Sequence, residues 1–137
     1  VYIDLVYGMY WQLNISTSRA GRPECVLIRA LEPAHMNSPG MKRYHTLEYD
    51  SKTKRGKLGR GVANGPGKLC KWLRLGRSFY GEDVVTSGRL WVEDRGVKVR
   101  KSDIVAKPRI GIDYAGPIWS KKPWRFYIKN NPCVSRG

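Results

Sequence analysis

The stretch VYIDLVYGMYWQLNIS, residues 1–16, decides how the rest of the chain is read. Apolar and polar side chains alternate on both sides of Tyr7, Gly8 and Met9. That two-residue period belongs to strands with one buried face, so the stretch predicts a β-hairpin. Loop length then matters, because a slip of one residue exchanges the two faces of a strand. With a loop of Tyr7, Gly8 and Met9, Val6 faces Tyr10, Asp4 faces Gln12 and Tyr2 faces Asn14. One face holds Val1, Ile3, Leu5, Trp11, Leu13 and Ile15, all apolar, while the other collects Tyr2, Asp4, Val6, Tyr10, Gln12 and Asn14. A two-residue loop scrambles both sets, so the longer loop is expected.

Asn-Gly or Asp-Gly would be the quieter choice at a hairpin tip. Tyr7 beside Gly8, with Met9 and Tyr10 following, exposes apolar surface instead. Two readings stay open: a wedge of the kind that proteins push between base steps, or a tip covered by another part of the fold.

Beyond the hairpin, STSRAGRPE reads as a turn and CVLIRALEP as a short strand stopped by Pro33. Arg29 within that apolar run suits a sheet-edge side chain whose stem packs and whose head reaches water. SPGMKRYHTLEY suggests a helix opened by Ser38 and Pro39, and SKTKRGKLGRG a solvated basic loop. In NGPGKLCKWLRLG, Gly65 and Pro66 suit a helix entry, Leu69, Trp72 and Leu73 share a face, and Gly76 suits the C-cap. RLWVEDRGVKVRKSDI reads as two strands around EDRG, with a further strand near Arg109 to Ile112. The expected architecture is α+β: one domain over residues 1–137, a mainly antiparallel curved sheet with a protruding β-hairpin, and a few flanking helices.

Composition narrows the partners. Lys and Arg number 26 against 11 Asp and Glu, a net charge of +15, which directs attention to anionic polymers. The charge alone equally suits an RNA-binding protein. No run approaches the roughly 18 apolar residues of a membrane span, and nothing reads as a secretory signal. An intracellular monomer is expected, in the cytoplasm or nucleoid of a bacterium or the nucleus of a eukaryote. Cys25, Cys70 and Cys133 have no C-x-x-C spacing and read as reduced packing residues, and His35 and His45 are too far apart for a metal pair. Neither a metal nor a cofactor is expected. The helix start at Gly65–Lys68, with Lys71, is either a phosphate contact or a plain capping turn. Lys121, Lys122 and Arg125 form a second basic patch, among which Trp124 and Phe126 read as core.

Six blocks, VYGMYWQLNIS, ECVLIRALEP, NGPGKLCKWL, RIGIDYAG, KKPWRFYI and NPCVS, stand in the order and approximate spacing of the alkyladenine (3-methyladenine) DNA glycosylases, which the chain resembles over nearly its whole length. The resemblance implies a base-excision enzyme, a monofunctional hydrolase that flips alkylated or deaminated purines out of double-stranded DNA and cleaves the N-glycosidic bond with an activated water. It implies that Tyr7 intercalates, with Met9 and Tyr10 in the wedge loop. It further implies that Asn14 gates the base pocket, that Leu27 lines it, and that Arg29 positions the water and its carboxylate. The family's general-base glutamate and two further pocket residues match nothing here, so the sequence reads as the C-terminal portion of the domain with its N-terminal part missing. The alternative is a DNA-binding module without catalysis. Asp4 stands where relatives carry a second stacking tyrosine, which places a carboxylate on the pocket face.

Overall fold

The structure, a computed structural model, describes residues 1–32 and 63–135. The helix expected from Ser38, the SKTKRGKLGRG loop, Pro33, His35 and His45 lie outside the described residues.

The hairpin forms with the expected pairing. Strands β1 (Tyr2–Val6) and β2 (Tyr10–Ser16) are antiparallel, with Tyr2 opposite Asn14, Asp4 opposite Gln12 and Val6 opposite Tyr10. Ile3 and Leu13 are buried, as alternation requires of the apolar face. Leu5, near the tip, stays exposed because the core ends before it. Strand β3 (Cys25–Leu27) adds to the other edge of β2, giving the order β1-β2-β3. Its ladder stops well before Pro33, although the Ile28 amide still donates to the Leu13 carbonyl (2.9 Å).

Helix α1 (Pro66–Trp72) lies against this sheet. Pro66 occupies the first turn, where its missing N–H costs nothing. Leu69 and Cys70 are fully buried and join Ile3, Leu13, Ala63 and Leu75 in the core, with Trp11, Ile28, Trp72 and Leu73 packed around them. Burial pushes the Cys70 thiol pKa up. The expected cap at Gly76 is corrected: the helix ends at Trp72 with Leu73 as its C-cap, and Arg74 takes the left-handed conformation (φ 54°). The amides of Arg74 and Leu75 bond back to the carbonyls of Lys71 and Cys70 (3.2 and 2.8 Å), and Leu75 is buried. Gly76 instead precedes a short 3-10 turn over Arg77–Phe79.

That segment closes against the start of the chain. Gly81 N donates to Val1 O (3.0 Å), and the terminal ammonium donates to Glu82 O. Arg89 clasps the turn, bonding Glu82 and the Ser78 carbonyl with its guanidinium over the Phe79 ring.

The remaining strands fall elsewhere than expected. Residues 90–100 form no strand; within EDRG the Asp94 carboxylate accepts from the Gly96 amide (2.7 Å). Residues 109–112 form none either, because Pro108 lacks a donor and Gly111 sits at φ 71°. The observed pair is β4 (Ile104–Lys107) with β5 (Arg125–Ile128), antiparallel, joined through the short helix α2 (Gly116–Ser120). The fold is α+β with antiparallel pairing, and among the described residues the strands form two sheets where one was expected. Facing pairs Ile104–Ile128 and Ala106–Phe126 put four apolar side chains on one side of the β4–β5 ribbon, and all four are exposed. Phe126 (66% exposed) and Trp124 are therefore not core, contrary to expectation; the ribbon turns that side to solvent.

Candidate nucleic-acid interface

The hairpin tip is a tight turn in which the Met9 amide donates to the Val6 carbonyl (3.2 Å). Both central residues have positive φ, 54° at Tyr7 and 66° at Gly8. Glycine adopts such angles freely, whereas a tyrosine there gives up about 1–2 kcal/mol. The ring gains no packing in return, since Tyr7 is 86% exposed and Met9 is exposed beside it. Among the described residues nothing covers the tip. Tyr10 differs, because its side chain lies along Gly67 at the start of α1: a Cβ added there would come 3.0 Å from Tyr10 Cδ1 and 3.2 Å from its Cβ. Tyr10 braces the hairpin's root against the helix.

On the sheet face opposite the core, the register sets Tyr2, Asn14 and Leu27 in one row across β1, β2 and β3. Asp4 and Gln12 form the next row; the β2–β3 ladder ends at Leu27, past which the Ile28 amide bonds to the Leu13 carbonyl, and Arg29 lies beyond the paired residues. Asn14 is recessed (8% exposed), and the Cys25 thiol donates to its Oδ1 at 3.9 Å. Tyr2 meets Tyr80 edge to face, centroids 5.6 Å apart. The Tyr2 phenol is held above its ordinary pKa, first by the negative charge of Asp4, then by desolvation, by Tyr80, by a hydrogen bond with Asp4 and by Cys25. Tyr2, Asp4, Asn14, Cys25 and Tyr80 thus form one cluster, from which Tyr2, Cys25 and Tyr80 were missing as site residues in the sequence reading. Cys25 was within reach of that reading, being two residues from Leu27 on one strand. Its exposure corrects its assignment as a packing residue. Tyr80 carried no signal, because its approach depends on a contact between distant segments.

Arg29 and Leu27 are half-buried, and among the described residues Arg29 has no ion pair. Lys68 donates to Asn64 Oδ1 (3.1 Å) beside the helix start that holds Tyr10, whereas Lys71 belongs to the last turn of α1, not to its beginning. Lys121 and Lys122 are exposed just after α2, near the tilted Trp119–Trp124 pair (5.5 Å). Arg125 is engaged within the second sheet's surroundings, its Nε donating to Pro108 O (3.2 Å) and its guanidinium lying 5.2 Å from the Tyr127 ring centre. The structure therefore gathers Tyr7, Met9, Tyr10 and Lys68 about the hairpin, and Asp4, Asn14 and Leu27 on one sheet face, with Arg29 two residues past the end of β3. Lys121, Lys122 and Arg125 stand on the second sheet and its approach. Among the described residues no group of three His, Cys, Asp or Glu is placed to hold a metal ion, and no helix is long and apolar enough to cross a membrane.

A basic α+β chain with an exposed aromatic ring at a hairpin tip and a recessed amide on the sheet behind it offers a candidate surface for an anionic polymer. The particular group follows from comparison. The sequence model of the family described as Methylpurine-DNA glycosylase matches residues 1–132, and the chain belongs to that family. It is 45% identical to a putative 3-methyladenine DNA glycosylase of Methanocella arvoryzae, over 98% of this chain and 61% of that protein. It is also 38% identical to the DNA-3-methyladenine glycosylase of Mus musculus and 34% identical to that of Homo sapiens, over 98% of this chain in each case. The chain spans 40% and 44% of the length of those two mammalian relatives.

Proposed function

We propose that the chain serves base-excision repair as a DNA-3-methyladenine glycosylase, extruding a damaged purine from double-stranded DNA for hydrolysis of its N-glycosidic bond. The observation that carries this reading is the exposed Tyr7 ring on a turn whose backbone disfavours it. In this reading Tyr7 fills the gap left by the extruded nucleotide, and Met9 presses on the neighbouring step. Asn14, recessed on the same hairpin, admits purines that lack an exocyclic amino group at its position, and Leu27 supplies an apolar wall beside it. Arg29 orients the water and the carboxylate that activates it. Lys68, Lys71, Lys121 and Lys122 meet phosphates, which fix the register without reading sequence.

Binding to matched duplexes with and without one hypoxanthine or ethenoadenine tests the reading, together with abasic-site formation. Lesion duplexes should bind more tightly than unmodified ones. Tyr7→Ala should remove about 5- to 150-fold of that affinity, the range of one lost base–aromatic stack at about 1–3 kcal/mol. Equal affinity for lesion and unmodified duplexes, unchanged by Tyr7→Ala, would overturn it.

A further inference from the structure

The segment between β4 and β5 concentrates exposed aromatic rings and cations. Tyr114, in a 3-10 turn over Asp113–Ala115, is 89% exposed, and Ile118 and Trp119 of α2 are exposed directly after it. Trp119 and Trp124 meet as a tilted pair, centroids 5.5 Å apart and planes at 42°, and each residue still leaves about half its surface to solvent. The Arg109 guanidinium lies 5.5 Å from the Trp124 ring centre. Residues 108–129 hold five cations, Arg109, Lys121, Lys122, Arg125 and Lys129, against one acid, Asp113. Tryptophan is well buried on average, so an indole pair left half in water forgoes hydrophobic stabilisation that an occupant of this surface would restore.

We infer that this segment is a stacking platform for single-stranded DNA, a site apart from the hairpin tip. Its rings offer flat faces to bases and its cations offer charge to the phosphates between them, the combination that holds unpaired strands without reading their sequence. Arg109 over Trp124 belongs to the same chemistry, because a guanidinium stacks on aromatic faces and adds a cation–π contact. Duplex DNA leaves the rings unused, since its bases are already stacked on one another and it presents mainly phosphates to Lys121 and Lys122. Like charge opposes a second copy of the chain at this segment. An unpaired strand satisfies rings and cations together. The inference does not depend on the glycosylase reading, because it concerns strands that hold no lesion.

The test titrates the full chain with deoxyuridine oligomers and with abasic oligomers of equal length and equal phosphate number, read by indole fluorescence and by anisotropy of a labelled strand. The bases should raise affinity over the bare backbone by at least about fivefold, the lower end of what one base–aromatic stack contributes, and should quench indole emission. Trp124→Ala should bring the two affinities together, and Trp124→Phe should keep part of the difference. Tyr114→Ala, at a side chain almost wholly in solvent, should narrow the difference without disturbing the fold, which circular dichroism checks. Tyr7→Ala separates the two sites: it should lower affinity for lesion duplexes and leave the oligomer difference in place. Equal affinity for deoxyuridine and abasic oligomers would overturn the inference and leave the glycosylase reading standing. A difference abolished by Tyr7→Ala but untouched at Trp124 and Tyr114 would overturn it as well, by moving the stacking to the hairpin tip. Tighter binding of a uridine RNA oligomer than of its DNA counterpart would overturn DNA as the occupant.

Discussion

A tyrosine at φ 54° with its ring exposed is a residue placed against its own backbone preference. Such strain persists where the surrounding structure enforces it, and it gathers at working sites. Here the turn has positive φ at both central positions, the geometry for which Asn-Gly is the preferred pair. Tyr7→Asn should therefore raise stability to denaturant by about 0.5–1 kcal/mol, since asparagine tolerates this region and little packing is lost. The same change should lower affinity for a lesion duplex at least fivefold. Unfolding curves and binding isotherms on one preparation read both effects, and a loss of stability would show that the ring is packed after all. Asn14 teaches the opposite lesson. Its place on the polar face followed from alternation, but its depth did not, because enclosure comes from Cys25, Tyr2 and Leu27 on neighbouring strands.

At the scale of elements, the hairpin was fully legible and the second sheet was not. Residues 1–16 alternate on both sides of the tip, so only one loop length keeps a clean apolar face. IVAK and RFYI, which became β4 and β5, are too short to show alternation and carry charged or aromatic residues on both faces. Their partners are also distant, so no local pattern announces the pairing. Val97 and Val99, which drew the expectation of a strand, found no partner. Helix α1 was legible at its start, where proline chemistry is local, but not at its end, where buried Leu75 sets the stop. Contact between α1 and the hairpin root gives a test at this scale. Gly67→Ala improves intrinsic helix propensity by up to about 1 kcal/mol. Yet its methyl would meet the near end of the Tyr10 side chain, which cannot swing aside. The net result should be a loss of about 1–2 kcal/mol in thermal or denaturant unfolding, with altered Tyr10 ring signals in NMR spectra.

For the whole molecule, the proposed association with DNA is governed by charge. Each phosphate neutralised on duplex DNA adds about 0.9 to the slope of log affinity against log salt. Lys68→Ala and Lys121→Ala should each flatten that slope by about one if both side chains reach the backbone, and a slope unchanged by Lys121→Ala would remove the second sheet from the interface. The family resemblance and the basic composition were plain in the sequence. That the cations divide between two separate sheets, and that Arg125 spends itself on Pro108 and Tyr127, was not.

The bare side of the β4–β5 ribbon adds a colloidal consequence. Copies of a chain with charge +15 repel one another in dilute buffer, but at physiological ionic strength the repulsion is screened beyond about 8 Å. Ile104, Ala106, Phe126 and Ile128 are then free to adhere between copies. Light scattering should rise with added salt over the same range in which DNA is released. Phe126→Lys should shift that onset upward while leaving lesion discrimination intact, and so widen the range of conditions in which the hairpin can be studied on its own terms.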